Sequence, residues 1–198
     1  MIGVSGSGGF IGGRLVRALT SDSLQLIPLG RGVLPEPKDG IDTIFHCAGY
    51  AHAFSSLSTD DAAMHWQGNF ECTRNLVDAA GKAGVQRFVF LSSVKAMAEL
   101  GNSLIDEGFL GEPETAYGQS KRSAELAVIE AGKRYGMHVV NLRLAMVYGS
   151  GGRGNLERMG RLVRRGLFPP LPETGNHRSL VHVDDVVSAM RVVAGSMS

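Results

Sequence analysis

Cysteine is almost missing from this 198-residue chain: Cys47 and Cys72 are the two it carries. Two thiols in apolar or helical stretches make no disulfide framework, so a reducing compartment, the cytoplasm, fits best. Neither sign of charge dominates. Twenty Lys and Arg face 19 Asp and Glu, a formal net charge of +1, so the total gives no footprint for nucleic acid or an anionic membrane. No apolar run reaches the roughly 20 residues that cross a bilayer, and the chain begins inside its first strand, with no room for a signal peptide. His46, His52 and His65 are scattered without a metal-ligand spacing, so packing or surface roles are expected for them and no metal. Internal repeats and low-complexity tracts are absent as well. What remains is a soluble-type composition, 43% apolar and 20% charged, long enough for one domain with a sizeable core.

What is abundant is glycine, 27 residues of it, and its placement in the first dozen organises the rest. Within Met1 to Gly12 a short apolar strand reads as running into a glycine-rich turn, and Phe10, Ile11, Leu15, Val16 and Leu19 as one side of a following helix. Strand, glycine turn and helix together are the setting of a dinucleotide fingerprint. The spacing is G-x-x-G-x-x-G over Gly6, Gly9 and Gly12, because Ile11 stands where the stricter pattern has its third glycine. Gly6 would turn the chain, Gly9 would let the backbone approach a pyrophosphate, and Gly12 would let helix and sheet pack closely. The helix N-terminus would meet the pyrophosphate with free N–H groups. An ordinary glycine-rich turn is the alternative.

Leu24 to Leu29 reads as a second strand, followed by Arg31. An acid near this point holds a ribose 2′-hydroxyl in NAD sites, and an arginine suits a 2′-phosphate. Arg31 therefore leans the reading from NAD towards NADP, against the alternative of a solvated loop arginine. Ile41 to Gly49 is a strand of the fully buried kind, ending in the small residues Ala48 and Gly49, which leave space for a flat ring. The link from Arg31 to Asp42 is too short for another strand and helix, so one βα unit is trimmed. Thr59 to Lys82 is helical, with Met64, Phe70, Leu76, Val77 and Ala80 as its buried side.

Gln86 to Ser93 is a strand that ends in two hydroxyls, Ser92 and Ser93. Ligands of open α/β sheets sit outside the carboxyl ends of strands; a turn or cap role is the plainer use of these serines. Tyr117 and Lys121, at i and i+4, share a face of the next helix. Met137 to Val147 reads as one strand, Asn155 to Gly166 as a helix with Leu156, Met159, Leu162 and Val163 inward, Arg178 to Val183 as a short strand, and Asp184-Asp185 as the cap of a last helix. Arg158, Arg161, Arg164 and Arg165 make a basic face, read as solvated, with phosphate attraction or nucleic acid as the sharper options.

Ser5-Gly6-x-x-Gly9-Phe10-Ile11-Gly12, His46-Cys47-Ala48-Gly49, Asn69 to Leu76, Leu91-Ser92-Ser93, Tyr117-Gly118-Gln119-Ser120-Lys121, Leu142-Arg143 with Val147-Tyr148-Gly149, and Arg178 to Asp185 stand in one order along nearly the whole chain. Together they resemble the extended short-chain dehydrogenase/reductase family, in its nucleotide-sugar epimerase/dehydratase branch. The resemblance implies an α/β, Rossmann-like doubly wound parallel sheet with helices on both faces and a small, truncated substrate-binding part. It divides the chain into a dinucleotide-binding domain over 1–150, a partial substrate-binding segment over 151–182, and a helix over 183–198 that returns to the first domain. It implies Tyr117 as catalytic base and acid, Lys121 as the residue that holds the nicotinamide ribose and lowers the tyrosine pKa, and Ser93 as the hydroxyl on the reacting oxygen. Gly6, Gly9, Phe10, Ile11, Gly12, Arg31, Ala48, Gly49 and Asn69, with Tyr117 and Lys121, would line the cofactor; Ser92, Ser93, Asn155 and Arg178 would meet a nucleotide-sugar substrate. A homodimer through the long helices is a further implication.

The departures narrow the reaction. Members that eliminate water carry an acidic pair after the strand-end hydroxyl, where this chain has Val94 and Lys95. Met97 and Met146 replace residues that are often Tyr and Asn. The chain stops about a dozen residues after Asp185, where family members continue with more substrate-binding structure. The leading expectation is an NAD(P)-dependent nucleotide-sugar epimerase passing through a keto-sugar. An NADPH-dependent keto-sugar-nucleotide reductase and a non-catalytic dinucleotide sensor are the alternatives.

Overall fold

A computed structural model describes residues 1–51, 59–98, 105–109, 111–152, 155–169, 175 and 177–195, with the backbone alone for Thr59, Asp60 and Asn155. The elements are β1 (Ile2–Ser5), α1 (Phe10–Ser21), β2 (Leu26–Leu29), β3 (Thr43–His46), α2 (Thr59–His65), α3 (Cys72–Lys82), β4 (Arg87–Ser93), α4 (Ala116–Tyr135), β5 (His138–Leu144), β6 (Met146–Tyr148), α5 (Asn155–Arg164), β7 (Leu180–His182) and α6 (Val183–Gly195). A π-helical stretch, Trp66–Glu71, joins α2 to α3.

Five strands form one parallel sheet in the order β2-β1-β3-β4-β5. From β1 the chain steps outward to β2, then returns to β3 and continues to the other edge. The direction reverses between β1 and β3, and a crevice opens there at the strands' carboxyl ends. Only a loop and a short 3-10 turn, Pro37–Asp39, connect β2 to β3, so the βα unit is trimmed as its length required.

Helices cover both faces, and each face has its own core. On one side Leu76, Val77 and Ala80 of α3 and Ala124, Val128 and Ala131 of α4 pack on Ile44, Phe88 and Phe90. On the other, Leu15 and Leu19 of α1 and Val186, Val187 and Met190 of α6 pack on Val4, Phe45, Val89 and Leu91. All four residues of β3 are buried, the apolar Ile44 and Phe45 together with the polar Thr43 and His46, as a strand covered on both faces requires. The fold is a Rossmann-like doubly wound sheet.

Four details differ from the pattern read in the sequence. The stretch Met137 to Val147 is not one strand: it breaks at Ala145, and β6 leaves the main sheet to pair with β7 in a parallel two-stranded ribbon. Asp184 and Asp185 do not cap α6 but lie in its first turn, where Asp184 takes two hydrogen bonds from Arg14 of α1 at 2.5 and 2.8 Å. Met64 is exposed, while His65, Asn69 and Thr73 are buried in its stead. In α5, Met159, Leu162 and Val163 are exposed rather than inward.

Candidate active site

The glycine turn is built for close approach. Gly6 has φ +68°, in the left-handed region, and a Cβ there would sit 2.6 Å from the Ala48 nitrogen. At Gly12 a Cβ would run into the carbonyl oxygen of Gly6 and lie 3.3 Å from Cys47 Cβ. The turn, the start of α1 and the end of β3 are thus in backbone contact, and side chains are excluded between them. Gly9 is the N-cap of α1 in extended conformation; no side chain caps the helix and no acid lies in its first turn. An uncapped, acid-free helix start beside a glycine turn fits a pyrophosphate. Arg31 is exposed just beyond β2.

Beyond the turn a cleft of about 190 Å3 is lined by Ile11, Cys47, Ala48, Gly49, Leu91, Ser93, Tyr117, Lys121 and Val147, among others. It brings together the residues that the spacing argument held apart. Ser93 ends β4, and Tyr117 lies in the first turn of α4, whose start is fixed by Thr115 accepting a hydrogen bond from the Gly118 amide at 3.2 Å. The Tyr117 and Ser93 side chains both line this cleft. Lys121 is buried; its Nζ donates to the Leu91 carbonyl at 2.9 Å and stands 4.7 Å from the centre of the Phe90 ring. A Cβ on Gly49 would be 3.2 Å from that Nζ, so the lysine abuts the strand end where a ring would lie.

The electrostatics differ in one respect from the implied picture. Burial raises the Tyr117 pKa above its usual value, and the neighbouring Ser93 hydroxyl offsets this in part; Lys121 is not among the groups that shift it. Lys121 itself is lowered to about 8 by burial, against the opposing charge of Glu125. Burial also pushes the Cys47 thiol up to about 12, which makes it inert as a nucleophile.

Several expected contacts are committed elsewhere. Ser92 borders the cleft, but its hydroxyl donates to the buried Glu125 at 2.6 Å. Asn69 is buried behind the cleft: its Oδ1 accepts from the Tyr50 amide at 2.8 Å, and its Nδ2 donates to the Tyr50 carbonyl at 3.0 Å and to Ser120 at 3.1 Å. It therefore holds the loop after β3 against α4 instead of presenting a free amide. Arg178 is exposed two residues before β7, and the side chain of Asn155 lies outside the described residues.

Two of the histidines expected to take packing or surface roles pack beside the site. His65 packs edge-on to Tyr50 and Tyr117, at 4.9 and 5.5 Å between ring centres. His46 bridges Ser5 and Thr73 at 2.5 and 2.8 Å, and burial lowers its pKa to about 3, which keeps it neutral. The signal for His65 is a polar stripe, His65, Asn69 and Thr73 at i, i+4 and i+8, running from the end of α2 through the π-helical stretch into α3; such local widenings cluster at functional sites. Among the described residues no group of three His, Cys, Asp or Glu is placed to hold a metal, and no helix is long and apolar enough to cross a membrane.

The model of the NAD dependent epimerase/dehydratase family matches residues 32–197. UDP-glucose 4-epimerase of Vibrio cholerae is 32% identical over 211 aligned positions, covering 93% of this chain and 63% of the epimerase. An uncharacterised protein of Sinorhizobium fredii, y4nG, is 30% identical over 81% of this chain and 40% of its own length. The chain thus spans less than two thirds of these curated relatives. Among solved structures, MoeE5 in complex with UDP-glucose and NAD superposes with a TM-score of 0.82 and 27% identity, over 98% of this chain and 71% of that one. UDP-glucose 4-epimerase of Thermotoga maritima with UDP-glucose gives 0.81 and 26%, over 98% and 73%.

Proposed function

The chain belongs to the NAD-dependent epimerase/dehydratase family, and on that premise we propose that it serves as a nucleotide-sugar epimerase of the UDP-hexose 4-epimerase kind, with Ser93, Tyr117 and Lys121 as its catalytic residues. The observation that carries this reading is the meeting of these three side chains in one cleft at the mouth of an uncapped glycine turn. The absence of an acidic pair after Ser93, where Val94 and Lys95 stand, weighs against elimination of water. NAD is the cofactor of this reading: the MoeE5 structure at 27% identity contains it, and nothing in the relatives supports the lean to NADP that Arg31 gave.

A dinucleotide held by Gly6, Gly9, Gly12 and the start of α1 supplies hydride acceptance and return at the sugar carbon. The chain's own groups manage the proton. Ser93 donates a hydrogen bond to the reacting oxygen. Tyr117 takes the proton from that hydroxyl as the carbon–hydrogen bond breaks, leaving a ketone, and gives it back when hydride returns to the opposite face. A free tyrosine has a pKa of about 10, and burial raises Tyr117 further. Positive charge brought close is what favours tyrosinate; Lys121 does not shift Tyr117 in the cleft as it stands, so in this reading a bound dinucleotide would supply that charge, with Lys121 holding its ribose. In the same reading residues 151–182 belong to the substrate-binding part, with Arg178 towards the diphosphate. Two copies pair along the groove of about 460 Å3 between α3 and α4, which Phe70 and Leu126 line.

The test has two steps. Acid denaturation of the purified protein is expected to release NAD, and Tyr117→Phe to bind NAD within a few-fold of wild type while UDP-hexose epimerisation falls by about 10²–10⁴-fold. Persistent turnover in the variant removes Tyr117 from the catalytic role. Release of NADP, with net reduction of a keto-sugar nucleotide, replaces the epimerase by the reductase.

A further inference from the structure

Glu125 is 1% exposed, and the chemistry above gives it nothing to do. It lies on α4 one turn beyond Lys121 and two beyond Tyr117, an i, i+4, i+8 series on a single helix face. Its carboxylate accepts the Ser92 hydroxyl at 2.6 Å. From β5 the Arg143 guanidinium reaches it with Nε at 2.9 and 3.1 Å from the two oxygens and Nη2 at 2.7 Å. Arg122, on α4 itself, comes to 3.7 Å, and the Glu125 backbone carbonyl accepts from Asn141 of β5 at 3.2 Å. One carboxylate thus ties α4 to the last residues of β4 and β5, the strands whose ends carry Ser93 and Leu144 into the cleft.

We infer that Glu125 is a positioning residue of the Tyr117–Lys121 site: it fixes the register of α4 against the ends of β4 and β5 and supplies the buried negative charge that keeps Lys121 an ammonium. The inference rests on the function proposed above for Lys121; its geometric part stands on the hydrogen bonds that Glu125 makes to Ser92 and Arg143 and on its place one helical turn from Lys121. The charged and titratable groups facing Lys121 are Glu125 and Tyr117 on its own helix, the tyrosine held protonated by burial, and, from β3 and the residue after it, His46, which is neutral, and Cys47, whose thiol stays protonated at neutral pH. Its other neighbours are the Leu91 carbonyl, the Phe90 ring and Asn69. Burial favours loss of the lysine proton, and Glu125 opposes it. Without the carboxylate, Arg143, Arg122 and Lys121 would be three cations with no anion among them.

The test follows the Lys121 side chain by NMR in the full chain labelled with 13Cε-lysine, its signal assigned by loss in Lys121→Met. In Glu125→Gln the Lys121 titration is expected to move down from about 8 by about one unit or more, the size of a lost opposite charge at short range. Arg143→Met removes a cation and keeps the anion, so the titration moves up; this variant also serves if Glu125→Gln does not fold. Ser92→Ala keeps every charge and leaves the titration in place. Where epimerase activity is present, the alkaline limb of kcat shifts down with Glu125→Gln. A Lys121 titration unmoved in both charge variants overturns the inference. If no dinucleotide binds and no sugar turns over, the proposed function falls, while the NMR result still decides the role of Glu125.

Discussion

Replacing Gly12 with alanine isolates what the glycine turn requires. Alanine in place of glycine inside a helix would by itself gain about 1 kcal/mol. At Gly12 the new Cβ meets main-chain atoms of Gly6, with the carbonyl carbon at 2.8 Å, and Cys47 Cβ at 3.3 Å. Main chain does not swing aside as a side-chain tip does, so the overpacking cost belongs at the upper end of the usual range, about 3 kcal/mol. The net loss is therefore roughly 2 kcal/mol, and with a urea slope of about 2–3 kcal/mol per M the unfolding midpoint falls by roughly 0.7–1 M. Gly13 is the control one residue on. Its Cβ would come 3.2 Å from the Ser7 carbonyl oxygen, in a turn that can yield by a few tenths of an ångström, so Gly13→Ala is expected to be neutral or to gain up to about 1 kcal/mol. NAD titration of the same variants should show binding weakened about tenfold or more in Gly12→Ala alone, a change of about 1.4 kcal/mol, because only there is the helix start pushed off the turn. Equal stability of Gly12→Ala and Gly13→Ala would refute the claim that the close approach at Gly12 sets this geometry.

Met190→Ala should cost about 2–5 kcal/mol in chemical unfolding, since Met190 is fully buried in the core between α1, α6 and the sheet; Val192→Ala, two residues on and 65% exposed, should stay within about 0.5 kcal/mol, and equal losses would place α6 wrongly. His46 is lowered from 6.5 to about 3 by burial, so below the unfolded value the unfolded chain binds a proton that the folded one refuses. Stability from this residue is complete above about pH 6.5 and declines as pH falls towards 3, by up to about 1.4 kcal/mol per unit. Unfolding measured between about pH 5 and 7 should show wild type losing stability more steeply than His46→Gln, and parallel slopes would refute the buried neutral imidazole.

Where chemistry and backbone geometry impose the same residue, the sequence is legible. Gly6 and Gly12 are glycine because any side chain would strike the end of β3 or the turn, and Tyr117 and Lys121 are four apart because one helix face must present both to one cleft. The buried side of the helix after β3 was misread for the opposite reason. Apolar periodicity marks Met64 as inward, but the helix faces a polar surface made by Tyr50, Ser120 and His46, and so buries His65, Asn69 and Thr73. A polar stripe is invisible to a pattern search for hydrophobes, although its burial is as complete. Likewise nothing in the apolar run from Met137 to Val147 reports that its last residues pair with β7, because β propensity is satisfied equally by either sheet.

The same distinction explains α5. Leu156, Met159, Leu162 and Val163 are spaced as an apolar stripe, and Arg158, Arg161 and Arg164 as a basic one; both stripes lie on the helix as the period demands. Yet Val163 is 59% exposed and Leu167, just past the helix end, 65%. On the body of the sheet the apolar stripes of α1 and α6 find each other and share a core with β1, β3 and β4. None of the described residues plays that part for α5. Periodicity states which face of a helix is suited to burial; only tertiary contacts supply the surface that buries it. The first statement holds for α1, α5 and α6 alike, while the second holds for α1 and α6 and fails at α5.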